Sequence, residues 1–184
     1  LAVSPLAVLA QGPLSPPGAP APTMKTLAQI EARTPLAGGT STIVVSAAGS
    51  YYLTGNVAVS TGDGIVIIAG NVTLDLNGFT VSSSAPIPGG TGILIGENLS
   101  QIHILNGHIR GERTFDGVNY SGGGFSHGIS SSGDVRAWRV TGISVAGVSF
   151  NGIYDSNGLA IIESCEVRFI QGLGIKGGTV SHCS

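Results

Sequence analysis

GIVIIAGNVTLDLNGFTV, running from Gly64 to Val81, decides the fold, because variants of the phrase return along the chain. Gly92 opens GILIGENLSQIHILNGHIRG, Gly128 opens GISSSGDVRAWRVTGISVAG, and Gly152 opens GIYDSNGLAIIESCEVRF. Gly-Ile pairs at Gly64, Gly92, Gly128, Gly152 and Gly174 mark the unit. Repeats spaced by about 20–50 residues signal stacked units, none of which can bury its apolar face alone.

Within each unit the apolar residues are β-branched, alternate with polar ones, and are interrupted every few residues by Gly, Asn or Ser, which predicts short strands. From Thr42 onward such runs (TIVV, SYYL, NVAV, VTLDL, QIHIL) follow one another closely. Aligning Leu53, Leu76, Leu105, Val140, Ile162 and Val180 places Thr54, Asn77, Asn106, Thr141, Glu163 and Ser181 after them, at intervals of 23, 29, 35, 22 and 18 residues. One turn of a three-stranded coil needs about this much chain. The expected fold is therefore all-β, a parallel β-helix, with those polar residues stacked as a ladder at a bend and each coil rising by about 4.8 Å. Cys165 and Cys183 fall at matching places, as do Phe79, Ile143 and His108. The cysteines read as small hydrophobes stacked inside, with a disulfide as the alternative.

The ends read differently. Leu1–Ala10 is apolar and closes on Val8-Leu9-Ala10, the pattern of a signal peptide's tail, so a secreted or cell-surface location is expected. Gln11–Thr23 is a Pro-rich spacer. Residues 24–35 predict a short helix capping the first coil, with Met24, Leu27 and Ile30 at helical spacing, Thr23 as N-cap and Pro35 as stop. The β-helix is assigned to residues 42–184. Because Ser184 falls inside another repeat, GIKGGTVSHCS, further coils are expected after it.

Composition excludes several classes. The chain has 184 residues, 30 of them Gly, only 10% charged residues and a net charge of −2. Eight scattered Lys and Arg form no basic stripe, which argues against nucleic acid as a partner. A run of about 18 apolar residues, the mark of a membrane span, is also missing.

The repeat phrase, the Asn-Gly bends at Asn77-Gly78 and Asn106-Gly107, and the amphipathic N-terminal segment resemble the right-handed parallel β-helix superfamily of pectate lyases and polygalacturonases. The likeness covers Thr42 to Ser184. The opening stretch GPLSPPGAPAPTMKTLAQIEARTPL further resembles exported β-helix repeat proteins of environmental bacteria whose activity is uncharacterised. This implies a single-stranded solenoid with three strands per coil that acts on, or adheres to, polysaccharide.

A stack needs only short turns, so its longest excursion points to a site. Arg110–His127 (RGERTFDGVNYSGGGFSH) supplies the excess in the 35-residue interval. Its carboxylates Glu112 and Asp116, together with His127, are candidates for acid or base work. Arg110, Arg113, Phe115 and Tyr120 are candidates for binding a sugar polymer, with Phe125 either joining them or pinning the loop. Strand alternation turns Asp75 and His103 outward, and with Arg136 or Trp138 they form a second candidate column. Against an enzyme of the resembled kind, the paired aspartates of polygalacturonases and the acidic Ca²⁺ cluster and Arg-x-Pro setting of pectate lyases are absent. Only Ser126-His127-Gly128 and, faintly, Gly174-Ile175-Lys176 match polygalacturonase segments.

Other motifs carry less. Gly172-Leu-Gly-Ile-Lys-Gly177 spells GxGxxG but leads into a strand, not the helix a pyrophosphate needs. The four histidines lack zinc spacing, so no metal or other cofactor is expected, Ca²⁺ being conceivable without a motif. The leading expectation is a secreted protein presenting a surface to polysaccharide or cell-surface glycan. The alternatives are a polysaccharide lyase or glycoside hydrolase, and a structural or adhesive surface protein.

Overall fold

The computed structural model describes residues 31–184. Thr34–Leu36 (β1) pairs with the first complete coil, which runs Ile43–Val45 (β2), Gly49–Leu53 (β3) and Val57–Val59 (β4). The second coil is Ile65–Ile67 (β5), Val72–Asp75 (β6) and Thr80–Ser83 (β7). The third holds Thr91–Ile95 (β8) and the long Ser100–Arg110 (β9), followed by two short strands, Thr114–Phe115 (β10) and Tyr120–Ser121 (β11). His127–Ser131 (β12) and Arg136–Ala146 (β13) make the fourth. Asn151–Tyr154 (β14), Ile161–Glu163 (β15) and Glu166–Arg168 (β16) make the fifth, and Ile175–Lys176 (β17) and Thr179–Ser181 (β18) begin a sixth.

Equivalent strands of successive coils pair in parallel, giving one sheet ordered β2-β5-β8-β12-β14-β17 and another along β1-β3-β6-β9-β13-β15-β18. The two long strands bend midway, so their second halves form a third face with β4, β7 and β16. The described chain is thus all-strand, without a helix, and winds as a parallel, solenoid-like stack. No helix of the described residues is long and apolar enough to cross a membrane.

The Gly-Ile punctuation has a packing origin. Its isoleucines stack inward, Ile65 on Ile93, Ile129, Ile153 and Ile175, and the first four are fully buried. The glycines sit where two faces converge. A Cβ on Gly92 would lie 2.5 Å from Ile109 Cγ2, one on Gly128 would lie 2.5 Å from Val145 Cγ1, and Gly64 and Gly152 meet Val81 and Val167 in the same way. Behind them a second column, Leu74-Ile104-Val140-Ile162, completes the core. Because each coil's apolar residues rest on those of the next, burial is a nearest-neighbour property of the stack.

The polar ladder is displaced by one residue from its expected register. Thr141 pairs with Leu105, not Asn106, and Leu105 in turn faces Asp75. What stacks at the bend is a column of left-handed residues: Asn77 (φ 52°), Asn106 (56°), Gly142 (63°), Ser164 (54°) and His182 (53°). A one-residue bend between two strands requires positive φ, which Asn and Gly tolerate and β-branched Thr resists. Thr141 therefore stays on the strand and Gly142 takes the corner. Asn77 and Asn106 remain neighbours, with Gly78 N–H donating to the Asn106 carbonyl at 2.9 Å. Thr54, one coil earlier, donates its hydroxyl to the Leu36 carbonyl at 3.3 Å instead of to another ladder member. The same displacement puts Gly107, and not His108, beside Ile143.

Most of the expected capping helix lies outside the described residues. Its last positions, Glu31–Pro35, are not helical, and Thr34–Leu36 is instead a strand in register with Tyr51–Leu53. The signal-peptide and linker readings also lie outside the described residues.

Candidate functional site

The insertion between β9 and β12 folds into an antiparallel hairpin, with Thr114 opposite Ser121 and Phe115 opposite Tyr120. Asp116 builds its tip: Oδ1 accepts from the N–H groups of Val118 (2.8 Å) and Asn119 (2.7 Å), an Asx turn. Those two bonds hold the fully exposed Asp116 carboxyl below the ordinary carboxylate range. Phe115, 44% exposed, packs on Tyr120 with ring centroids 4.7 Å apart.

The hairpin is fastened to the stack at several points. Arg113 Nη2 donates to Gln171 Oε1 at 2.6 Å, and the Tyr120 hydroxyl to the Ile170 carbonyl at 2.9 Å, so the hairpin reaches the last turn of the fifth coil. Gly124 N–H donates to Ala85 O at 2.7 Å on the second coil. Phe125 is fully buried in the core, so this ring anchors the loop and is not offered to a ligand. Arg110 lies flat along the third face, its guanidinium donating to Ser144 Oγ at 3.2 Å. Glu112 is exposed, and among the described residues no hydrogen bond or ion pair engages its carboxylate or joins it, or Asp116, to His127.

His127 begins the strand that follows the hairpin, paired with Thr91 and Asn151. Its ring lies 5.8 Å from Phe150 and 6.5 Å from Tyr154, and Lys176 Nζ stands 4.9 Å over the Tyr154 ring. Burial holds the His127 imidazole below its ordinary range, so it is neutral at pH 7. Phe150 is 62% exposed and shares a pocket of about 190 Å³ with Ser149, Gln171 and Gly172. Through Gln171 the hairpin is thus continuous with a ring-bearing strip: Arg113, Gln171, Phe150, His127, Tyr154, Lys176.

Phe150, Tyr154, Lys176 and Gln171 were not among the residues expected from sequence. For Tyr154 and Lys176 the signal was present: the residue after each of these Gly-Ile pairs points outward, and the outer row Val66, Leu94, Ser130, Tyr154, Lys176 becomes aromatic and cationic only in its last two members.

The second candidate column is also rearranged. Trp138 is 1% exposed and stacks inward on Ile102, so it is a core residue and cannot meet a substrate at the surface. Arg136 is exposed and pairs with Asp134 at 3.3 Å. The outward neighbour of His103 is Arg139, with Thr73 on its other side. Thr73, Gln101, His103, Ala137 and Arg139 line a shallow groove of about 340 Å³. His103 Nε2 lies 3.2 Å from Thr141 Oγ1. Burial, then Arg139, hold the His103 imidazole below its ordinary range against the opposing pull of Glu163. Asp75 is engaged by Arg33 at 2.8 Å, and Arg33 also lies 4.7 Å above the Tyr52 ring.

Asp155, fully buried, is taken up by backbone: its carboxylate accepts from Asn157, Leu159 and Ala160 N–H groups, the last at 2.6 Å. Among the described residues no three His, Cys, Asp or Glu side chains gather as a metal set. Compared with known proteins, the chain matches no family model, no curated protein and no solved structure.

Proposed function

We propose that this chain is a secreted right-handed parallel β-helix that presents a glycan-binding surface along the strip from the hairpin to Lys176. The observation that carries the reading is the row of rings His127, Phe150 and Tyr154, flanked by Arg113 and Lys176. Exposed ring faces stack on the apolar faces of pyranoses, while cations and amides bond their hydroxyl or carboxyl groups. Neither flanking cation is ion-paired with a carboxylate among the described residues, so both retain bonding capacity. The strip lies on a rigid stack, so presenting it to a polymer costs little ordering entropy.

A second reading is favoured by one feature. In the His103 groove a neutral imidazole adjoins the Arg139 guanidinium, the pairing of a base with a positive charge that proton abstraction beside a carboxylate requires. A polysaccharide lyase would use such a groove.

Binding and depolymerisation assays of the folded chain on neutral and acidic glycans, with Phe150→Ala and His103→Gln variants, separate the two. Binding without turnover, lost in Phe150→Ala, supports the glycan surface. Turnover lost in His103→Gln supports the lyase, and a chain that neither binds nor cleaves any glycan overturns both.

A further inference from the structure

Two free thiols occupy one register position on successive coils. Cys165 and Cys183 each follow a left-handed residue, Ser164 and His182, so the backbone presents both side chains in the same direction. The pairing of Glu163 with Ser181 runs on into them: Ser184 N–H donates to Cys165 O at 3.0 Å, and Cys165 N–H to Cys183 Sγ at 3.4 Å. The thiols also bond alike. Cys165 Sγ donates to Glu163 O at 3.3 Å and Cys183 Sγ to Ser181 O at 3.2 Å, and each approaches a carbonyl one coil earlier, Val140 at 3.8 Å and Ile162 at 3.7 Å. In-register parallel neighbours lie about 4.8 Å apart, inside the window of about 4.4–6.8 Å that a disulfide demands of its Cα atoms. Releasing two weak thiol hydrogen bonds and rotating the side chains toward each other is the main rearrangement required.

The geometry points to a redox modification site: a small organic disulfide converts Cys165 and Cys183 into an intramolecular disulfide that staples the fifth coil to the sixth. The half-buried Cys183 attacks as thiolate, forming a mixed disulfide and expelling one thiol from the reagent. Cys165 then gives up its proton and attacks the Cys183 sulfur, and the second reagent thiol leaves. Two protein thiols lose two electrons and two protons, and one organic disulfide becomes two thiols. Burial pushes the Cys165 thiol up to about 11, which leaves the first attack to Cys183; in the second step the held proximity of the two sulfurs offsets the small thiolate fraction of Cys165.

The test is to incubate the folded chain with glutathione disulfide, alkylate residual thiols, and map peptides without reduction over time. The expected course is a transient glutathione adduct on Cys183, then a Cys165–Cys183 cross-linked peptide lighter by two hydrogen atoms, with a Tm that rises and returns on reduction. Cys165→Ser should stop at the adduct, and Cys183→Ser should leave Cys165 unmodified. Two thiols that stay free in the wild-type chain, an adduct on Cys183 that persists, or cross-links only between molecules would each overturn the site. The wild-type time course decides even if a variant fails to fold.

Discussion

Arg113 and Gln171, separated by 58 positions in the chain, meet at 2.6 Å and tie the one long excursion of the stack to its fifth coil. The hairpin is consequently part of a surface shared by the third and fifth coils. Exposed hydrogen bonds of this kind contribute about 0.5–1.5 kcal/mol each. Arg113→Ala combined with Tyr120→Phe, which removes the bond to Ile170, should lower the unfolding free energy by about 1–3 kcal/mol. Amide exchange across residues 112–122 should rise, and glycan affinity should fall with it. Unchanged exchange in that segment would show that the glycines and Phe125 hold the hairpin unaided.

Two aromatic residues test the division between core and surface. Trp138 is 1% exposed, whereas Phe150 is 62% exposed. Trp138→Ala should cost about 3–5 kcal/mol in denaturant unfolding. Phe150→Ala should change stability by less than about 0.5 kcal/mol, yet weaken glycan binding about tenfold, near 1.4 kcal/mol. A Phe150→Ala chain that unfolds early but binds normally would reverse the assignment.

How far these assignments were legible depends on period and register. Alternation of period 2 was enough to turn Ile102 and Ile104 inward and His103 outward, because a strand offers only two faces. Register was harder, since the second and third coils use different bends. Between Leu74 and Thr80 the second coil spends two residues more than the third does between Ile104 and His108. Aligning on Leu76 and Leu105 hides that difference, and a one-residue slip exchanges the faces. That slip moved Thr141 onto the ladder, and it paired His103 with Arg136 or Trp138 instead of Arg139. Tyr154 and Lys176 come together only by stacking, so their cluster shows only when the Gly-Ile phrases are laid coil on coil.

The bend column gives a backbone test. Asn106 and Gly142 are both exposed, so side-chain burial plays little part at either. Left-handed backbone costs an ordinary L-residue about 1–2 kcal/mol. Gly142→Ala and Asn106→Val should each lose about that much stability, and Asn106→Gly should lose only a few tenths. Thr141→Ala, on the strand beside the bend, should be milder than Gly142→Ala. Equal losses for Thr141→Ala and Gly142→Ala would mean that Thr141 shares the corner with Gly142.

Histidine sets the response to acid. Burial holds both His103 and His127 below the ordinary value of 6.5 in the folded chain. A lowered folded-state pKa means that, as pH falls through about 6.5, the unfolded chain takes up protons before the folded one does. Their contribution is therefore neutral above that pH, becomes unfavourable as pH falls toward the folded-state values, and levels off below them. Both rings retain solvent contact, so the effect is screened and belongs in a Tm slope. Tm should fall between about pH 7.5 and pH 5, and the double substitution His103→Gln with His127→Gln should flatten that fall. Asp116 remains charged throughout this range, because backbone donors lower its pKa from a value already near 3.8. A fall in Tm of the same size in the double variant would assign the acid response to other groups.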